Sequence, residues 1–375
     1  MADTQKRAFD PRAALRRSLK SLPEYAALED PEEVAREFGI TLADLIKIDG
    51  NENPYGPSPR AMEALRTVAF EPHRYGDAAQ KRLRASLGAH LGVTPDAIVC
   101  GSGSDELIEM IFRLFTEDGD RIVTASPTFG MYAFNAQVGG VEIVDVPLLE
   151  GWSFDGEGLV DAAMESKVVF IPSPNNPTGN ILPATTVDRL LETGAMVVID
   201  EAYIEFSHTP SLAQRAAAEP GLVVLRTFSK WGGLAGLRFG YGVMHPDTAA
   251  LLMQTKDPYN VNVAAEAAAL ASIEDAAILD ERACTLTGER DRVIEALRDL
   301  GWIHPWPSEA VFVLMRLSRG DGKAVRDGLR RRGIFARYFD HPRLRDHIRI
   351  SMALPEQNDR VIEAFREIGE ELARA

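Results

Sequence analysis

The sequence predicts an α/β protein, with a large domain on a mostly parallel seven-stranded sheet and a smaller α+β domain after it. Three observations carry this. Between residues 96 and 243, short apolar and β-branched runs alternate with helical stretches, as a parallel sheet with crossover helices requires. The last two runs, 222–225 and 239–243, lie too close for a crossover helix, so the final strand should run antiparallel to its neighbour. After residue 262 the chain turns alanine-rich and helical, and three further strand-like runs with helices between them make the smaller domain. The expected boundaries are an N-terminal arm with part of the small domain over 1–58, the large domain over 59–270 and the small domain over 271–375.

In chain order, residues 1–45 read as a helix, a break at Pro23 and a second helix through 32–38 capped by Gly39. The stretch from Asp49 to Pro59 is dense in Asn, Pro and Gly, an irregular segment of the kind that carries function. A helix starts near Pro59. The seven strands are expected at 97–100, 121–125, 142–146, 168–172, 196–200, 222–225 and 239–243, with a helix over 107–115 after the first. A long charged helix should run up to Gly301, ahead of strands near 311–315, 334–337 and 347–351.

Composition narrows the function. With 375 residues, 45% of them hydrophobic and 26% charged, the chain can bury a large core. The net charge of −15 argues against nucleic acid or an anionic membrane as partner, since both reward basic surfaces. The two cysteines, Cys100 and Cys284, have no metal-like spacing, so neither a disulfide framework nor a structural metal is expected. No run is long enough to cross a membrane, and the N-terminus lacks the apolar centre of a signal peptide. The protein is expected to be cytoplasmic. Arg12, Arg16, Arg17 and Lys20 give a basic face, read as solvated because Asp3 and Asp10 do not suit a transit peptide.

The chemistry gathers at strand ends, where open α/β sheets bind ligands. Lys230 follows the run 222–225 and precedes a glycine-rich turn, so it should emerge above the sheet. Desolvation and a nearby cation, for which Arg238 is the candidate, would favour the neutral amine that attacks carbonyls. Thr227 and Ser229 add hydroxyls and Arg238 a fork of donors, so this stretch looks like half of a phosphate socket. Cys100-Gly101-Ser102-Gly103-Ser104-Asp105-Glu106 opens a helix after a strand, an anion site or a tight turn. Glu106 replaces the third glycine of a dinucleotide fingerprint, so that reading fails. Asn176 sits in a proline-rich turn after 168–172, able to hydrogen-bond a ring substituent. Asp200 ends a strand buried on both faces and needs a cation, such as the pyridinium nitrogen of pyridoxal phosphate, unless it caps a helix or meets a salt-bridge partner. Tyr203 follows it closely.

These motifs together are similar to those of the fold-type I, class I and II pyridoxal-phosphate aminotransferases, and most of all their histidinol-phosphate branch. They are Asn51-Glu52-Asn53-Pro54-Tyr55-Gly56, Arg74-Tyr75-Gly76-Asp77, Gly101 to Glu106, Asn175-Asn176-Pro177-Thr178-Gly179, Asp200-Glu201-Ala202-Tyr203, Thr227-Phe228-Ser229-Lys230 with Arg238, and Ile348-Arg349-Ile350-Ser351. The resemblance implies pyridoxal 5'-phosphate as cofactor, Lys230 as its covalent anchor and proton carrier, and Asp200 at the pyridine nitrogen. It implies that Asn176 and Tyr203 hold the ring's 3-oxygen and that Phe129 stacks on the ring. Gly103, Ser104, Asp105, Thr227, Ser229 and Arg238 would surround the phosphate. Tyr75 would reach the phosphate of a neighbouring subunit, making a homodimer with shared active sites.

For the substrate, the resemblance assigns Arg349 to a carboxylate or phosphate and Arg337 to a second anion contact, although Arg337 also reads as a surface residue beside Arg330, Arg331 and Arg332. Tyr25 is a candidate lid residue. The implied reaction is ping-pong transamination between histidinol phosphate and 2-oxoglutarate in histidine biosynthesis, with small-molecule partners only. An aromatic amino-acid aminotransferase, a threonine-phosphate decarboxylase-like lyase and a non-catalytic effector sensor are the alternatives. Ser351-Met352-Ala353 replaces the usual glycine after the last arginine motif, which raises the prospect of a reshaped pocket.

Overall fold

The computed structural model describes residues 10–20, 30–67 and 72–374. Twelve strands are present among the described residues: β1 Ile46–Lys47, β2 Ile98–Gly101, β3 Arg121–Thr124, β4 Glu142–Asp145, β5 Val168–Pro172, β6 Met196–Asp200, β7 Leu222–Thr227, β8 Gly240–Met244, β9 Ile303–Pro305, β10 Phe312–Leu317, β11 Ile334–Phe335 and β12 His347–Ser351. Seven form one sheet in the order β2-β8-β7-β6-β5-β3-β4. All its pairings are parallel except those of β8, which runs antiparallel to both β7 and β2. The expected mixed sheet is therefore present, with β7 extended to Thr227 and β8 starting at Gly240.

The central strands β5, β6 and β7 are largely apolar because both faces are covered, whereas the edge strand β4 has exposed acidic ends. Val99, Phe170, Val198, Val223 and Leu225 pack on one side, against Leu107, Ile108 and Ile111 of the helix Ser104–Phe115. Ile98, Cys100, Val169, Ile171, Val197, Ile199 and Val224 face a second core on the other side. This alternation is the two-residue period of a strand applied to a sheet buried twice over.

The C-terminal part holds the antiparallel sheet β12-β10-β9. Two short strands escape the sequence reading. β9 has three residues, and β1 has two, pairing in parallel with β11 and tying the arm to the C-terminal part. The strand expected over 334–337 stops at Phe335, and Arg337 instead makes an isolated bridge with Arg349.

The helix expected near the N-terminus is short among the described residues, covering Pro11–Ala14 before a 3₁₀ turn at Arg17–Leu19. Tertiary contacts hold that turn: Arg16 donates to the Gly139 carbonyl and Gln137 to that of Ser18. The second helix, Pro31–Phe38, begins at Asp30, whose carboxylate caps the Glu32 amide, and ends at Gly39 with φ 65 as expected. No described helix is long and apolar enough to cross a membrane, and no cluster able to hold a metal is found among the described residues.

Candidate active site

The carboxyl ends of β5, β6 and β7 open into a cleft of about 1430 Å³, walled also by the Asp49–Glu52 stretch, Phe129, Arg337 and Arg349. Asp200 is the last residue of β6, and Lys230 follows three residues after β7. Both line the cleft, with Ser104, Asp105, Phe129, Asn176, Tyr203, Thr227, Ser229 and Arg238.

Lys230 Nζ donates to the Gly50 carbonyl at 3.1 Å. Burial, then the positive charge of Arg349, lower its pKa from 10.5 to about 8, with Arg238 a smaller contributor and Glu52 opposing. The cation anticipated from Arg238 is thus supplied chiefly by Arg349. Asn53 steadies the turn by donating to the Lys230 and Trp231 carbonyls at 3.0 and 3.1 Å. Gly233, at φ 65, lets that turn press on the arm: a Cβ there would lie 2.4 Å from the Gly56 carbonyl oxygen.

Asp200 accepts from the Tyr132 hydroxyl at 2.9 Å and the Ala202 amide at 3.1 Å. Burial pushes its pKa up to about 6, the Tyr132 hydrogen bond opposing. No cation among the described residues pairs with it, and a cationic ring nitrogen in the cleft would supply what burial removes. Tyr132 is sandwiched between the edge-on ring of Phe129 and the stacked ring of Phe170, at 5.6 and 5.3 Å. Sequence reasoning assigned Tyr132 no role. Only the packing of helix Met131–Gly139 over the sheet brings it to Asp200.

The anion-binding end is built from two elements. Gly103, at φ 80, starts helix Ser104–Phe115 with no side-chain cap, leaving first-turn N–H groups for a ligand. A Cβ at Gly103 would meet the Arg238 guanidinium at 2.8 Å. Arg238, itself left-handed at φ 55, donates to Asp105 at 2.9 Å and to the Ala235 carbonyl at 3.3 Å. Thr227 and Ser229 join hydroxyls at 2.9 Å. Glu106 clamps the loop by accepting from the Ser102 amide and Asn260, which explains a carboxylate where a dinucleotide site needs glycine.

Arg349, also on the cleft wall, donates to Asn176 Oδ1 at 2.5 Å and to the Asp49 carbonyl, while its buried Nε has no partner among the described residues. Burial, with the Arg337 charge adding, lowers its pKa to about 10, partly offset by Tyr203. The guanidinium groups of Arg349 and Arg337 both lie against the Phe339 ring, at 5.5 and 5.7 Å. Arg337 lines the cleft, and its guanidinium has no hydrogen-bonding or ionic partner among the described residues. Tyr203 accepts from Asn51 Nδ2 at 2.8 Å. Asn51 was missed in the sequence beyond its place in a motif, and Phe339 was not singled out there.

Three expectations fall elsewhere. Tyr75 is 80% exposed, stacks on Tyr259 at 4.3 Å and does not line the cleft of its own chain. Tyr25 lies outside the described residues. Ser351, Met352 and Ala353 are buried and do not line the cleft, and Ala353 is held by Asn358.

A sequence profile of aminotransferase class I and II matches residues 43–365. Histidinol-phosphate aminotransferase of Roseiflexus castenholzii is 47% identical over 366 residues, covering 94% of this chain and 98% of that protein. The Dehalococcoides mccartyi protein of the same name, from strain 195, is 38% identical, covering 96% and 99%. The crystal structure of histidinol-phosphate aminotransferase from Sinorhizobium meliloti in complex with pyridoxal-5'-phosphate superposes with a TM-score of 0.87 at 30% identity, covering 97% of this chain and 99% of that one. With the strand-end lysine and aspartate placed in one cleft, this chain belongs to the class I and II aminotransferase family.

Proposed function

We propose that the chain is a pyridoxal-phosphate-dependent histidinol-phosphate aminotransferase, exchanging the amino group between L-histidinol phosphate and 2-oxoglutarate in histidine biosynthesis. The observation that carries the substrate is the pair Arg337 and Arg349 on the Phe339 ring, the Arg337 guanidinium without a polar partner among the described residues, in the same cleft as Arg238 of the Gly103–Arg238 anion site. Two anion sites in one cleft suit one cofactor phosphate and one substrate phosphate. The 47% identical relative carries the same name.

The residues fit the cofactor. Asp200, buried without a cation, would hold the pyridinium nitrogen; Phe129 would cover the ring, and Asn176 and Tyr203 would bind the 3-oxygen. Ser104, Asp105, Thr227, Ser229 and Arg238, with the amides after Gly103, would take the phosphate. When bound, the cofactor supplies the electron sink for carbanion chemistry. Lys230 would anchor it covalently and, with a pKa near 8, carry a proton to and from substrate carbon near neutral pH. Arg349 and Arg337 would orient the substrate anion.

The arm over 1–58 with the small domain 271–375, against the large domain 59–270, is the proposed organisation, supported by the β1–β11 pairing. A homodimer is proposed from Tyr75, which is exposed on its own chain and stacked on Tyr259, where a neighbouring site could be reached. A cytoplasmic setting is proposed, in keeping with the absence of a membrane-crossing helix among the described residues. The test is glutamate release by the purified protein from 2-oxoglutarate with L-histidinol phosphate or L-phenylalanine as donor. Much higher kcat/KM with histidinol phosphate supports the reading; equal or higher values with phenylalanine contradict it.

A further inference from the structure

We infer that Ser351 and Asn51 are positioning residues that hold Tyr203 as a hydrogen-bond donor toward the ligand in the cleft, an inference that rests on the pyridoxal-phosphate reading. Asn51 is buried and keeps a left-handed backbone at φ 53, a conformation asparagine tolerates better than most residues. Its backbone N–H donates to Ser351 Oγ at 3.0 Å. The hydroxyl proton of Ser351, itself buried at the end of β12, then goes to Asn51 Oδ1 at 2.7 Å. With Oδ1 occupied, the amide turns Nδ2 outward, and Nδ2 donates to the Tyr203 hydroxyl oxygen at 2.8 Å. Tyr203 accepts on this side, so its own proton is left for the cleft.

The reverse amide orientation is disfavoured. It would strand the Ser351 proton in a buried site and draw the Tyr203 proton onto Asn51 Oδ1. Three segments thus settle one proton: β12 through Ser351, the arm through Asn51, and the loop after β6 through Tyr203. Ser351 does not line the cleft and acts only through Asn51.

A donor at the ring 3-oxygen of the bound cofactor stabilises negative charge there, most strongly once the neighbouring nitrogen has lost its proton. Removing the donor raises the pH at which that proton leaves. The test is the pH midpoint of the visible absorbance of the cofactor-loaded protein, compared among wild type, Ser351→Ala, Ser351→Thr, Tyr203→Phe and the Ser351→Ala/Tyr203→Phe double variant. Ser351→Ala should raise the midpoint by about one pH unit, the scale of one hydrogen bond to a charged group. Ser351→Thr keeps the hydroxyl and should keep the wild-type midpoint. The double variant should match Tyr203→Phe, since both changes remove the same donor. A wild-type midpoint in Ser351→Ala, or additive shifts in the double variant, overturns the inference. Should Ser351→Ala not fold, Asn51→Asp, an acceptor-only side chain that tolerates the left-handed backbone and would draw the Tyr203 proton onto itself, takes its place: an upward shift supports the inference and an unchanged midpoint overturns it. A protein with no visible cofactor band removes the functional reading, and this inference with it.

Discussion

Lys230 Nζ lies 3.1 Å from the carbonyl oxygen of Gly50, a residue 180 positions earlier in the chain. The same arm supplies the Asp49 carbonyl to Arg349 and the Asn53 amide to the turn after Lys230. Strand ends place the reactive lysine, and the arm sets its surroundings.

Lys230→Ala is expected to abolish turnover while the protein stays folded, checked by activity together with circular dichroism. Retained activity would remove Lys230 from the chemistry.

The lowered pKa of Lys230 also makes a stability prediction. Because the folded value is about 8 against 10.5 unfolded, the unfolded chain binds more protons between those values, and stability rises with pH there. The cost of the charged amine is full below pH 8. Lys230→Met in the cofactor-free protein should therefore gain about 1–3 kcal/mol at pH 7, and the gain should shrink as pH approaches 10. Urea unfolding at several pH values measures this, and a pH-independent difference would contradict it.

Asp200 behaves in the opposite sense with pH. Its folded pKa of about 6 exceeds the usual 3.8, so the folded state binds more protons between those values and stability falls as pH rises through them. Asp200→Asn should stabilise the cofactor-free protein at pH 7 while lowering kcat roughly 100-fold or more, as loss of a preorganised charge does. Thermal unfolding and kinetics on the same sample show both. A variant less stable and fully active would refute the assignment.

Arg337→Ala should raise KM for L-histidinol phosphate roughly 10- to 100-fold, the worth of a charge-assisted hydrogen bond. The fold should be unaffected, since Arg337 bonds to no other described side chain. Steady-state kinetics decides it, and an unchanged KM would leave Arg349 as the sole arginine for the substrate anion.

Tyr75, exposed on its own chain, predicts complementation between subunits. Tyr75→Ala and Lys230→Ala should each be impaired, and refolding them together should restore partial activity by forming one intact site in mixed dimers. No recovery on mixing would place Tyr75 outside the neighbour's site.

Strand ends made Asp200 and Lys230 legible in the sequence, because a polar residue closing an apolar run has one direction to face. The glycine turn before Ser104 was legible for the same reason. Tyr132 and Asn51 were not, since their bonds to Asp200 and Tyr203 span 68 and 152 residues and depend on how a helix and the arm pack. Arg349 as the main cation beside Lys230 was hidden too, because β12 reaches the cleft only through tertiary packing. β1 and β9 are too short to show a period in sequence.

The most direct test of the proposed activity is single-turnover spectroscopy of the cofactor-loaded protein, following loss of its visible band as L-histidinol phosphate, L-phenylalanine or L-glutamate is added. Far more efficient conversion by histidinol phosphate than by phenylalanine is expected, with glutamate reacting as the second partner. Conversion led by phenylalanine would make Arg349 a carboxylate clamp, leave Arg337 without a substrate role and contradict the proposed activity.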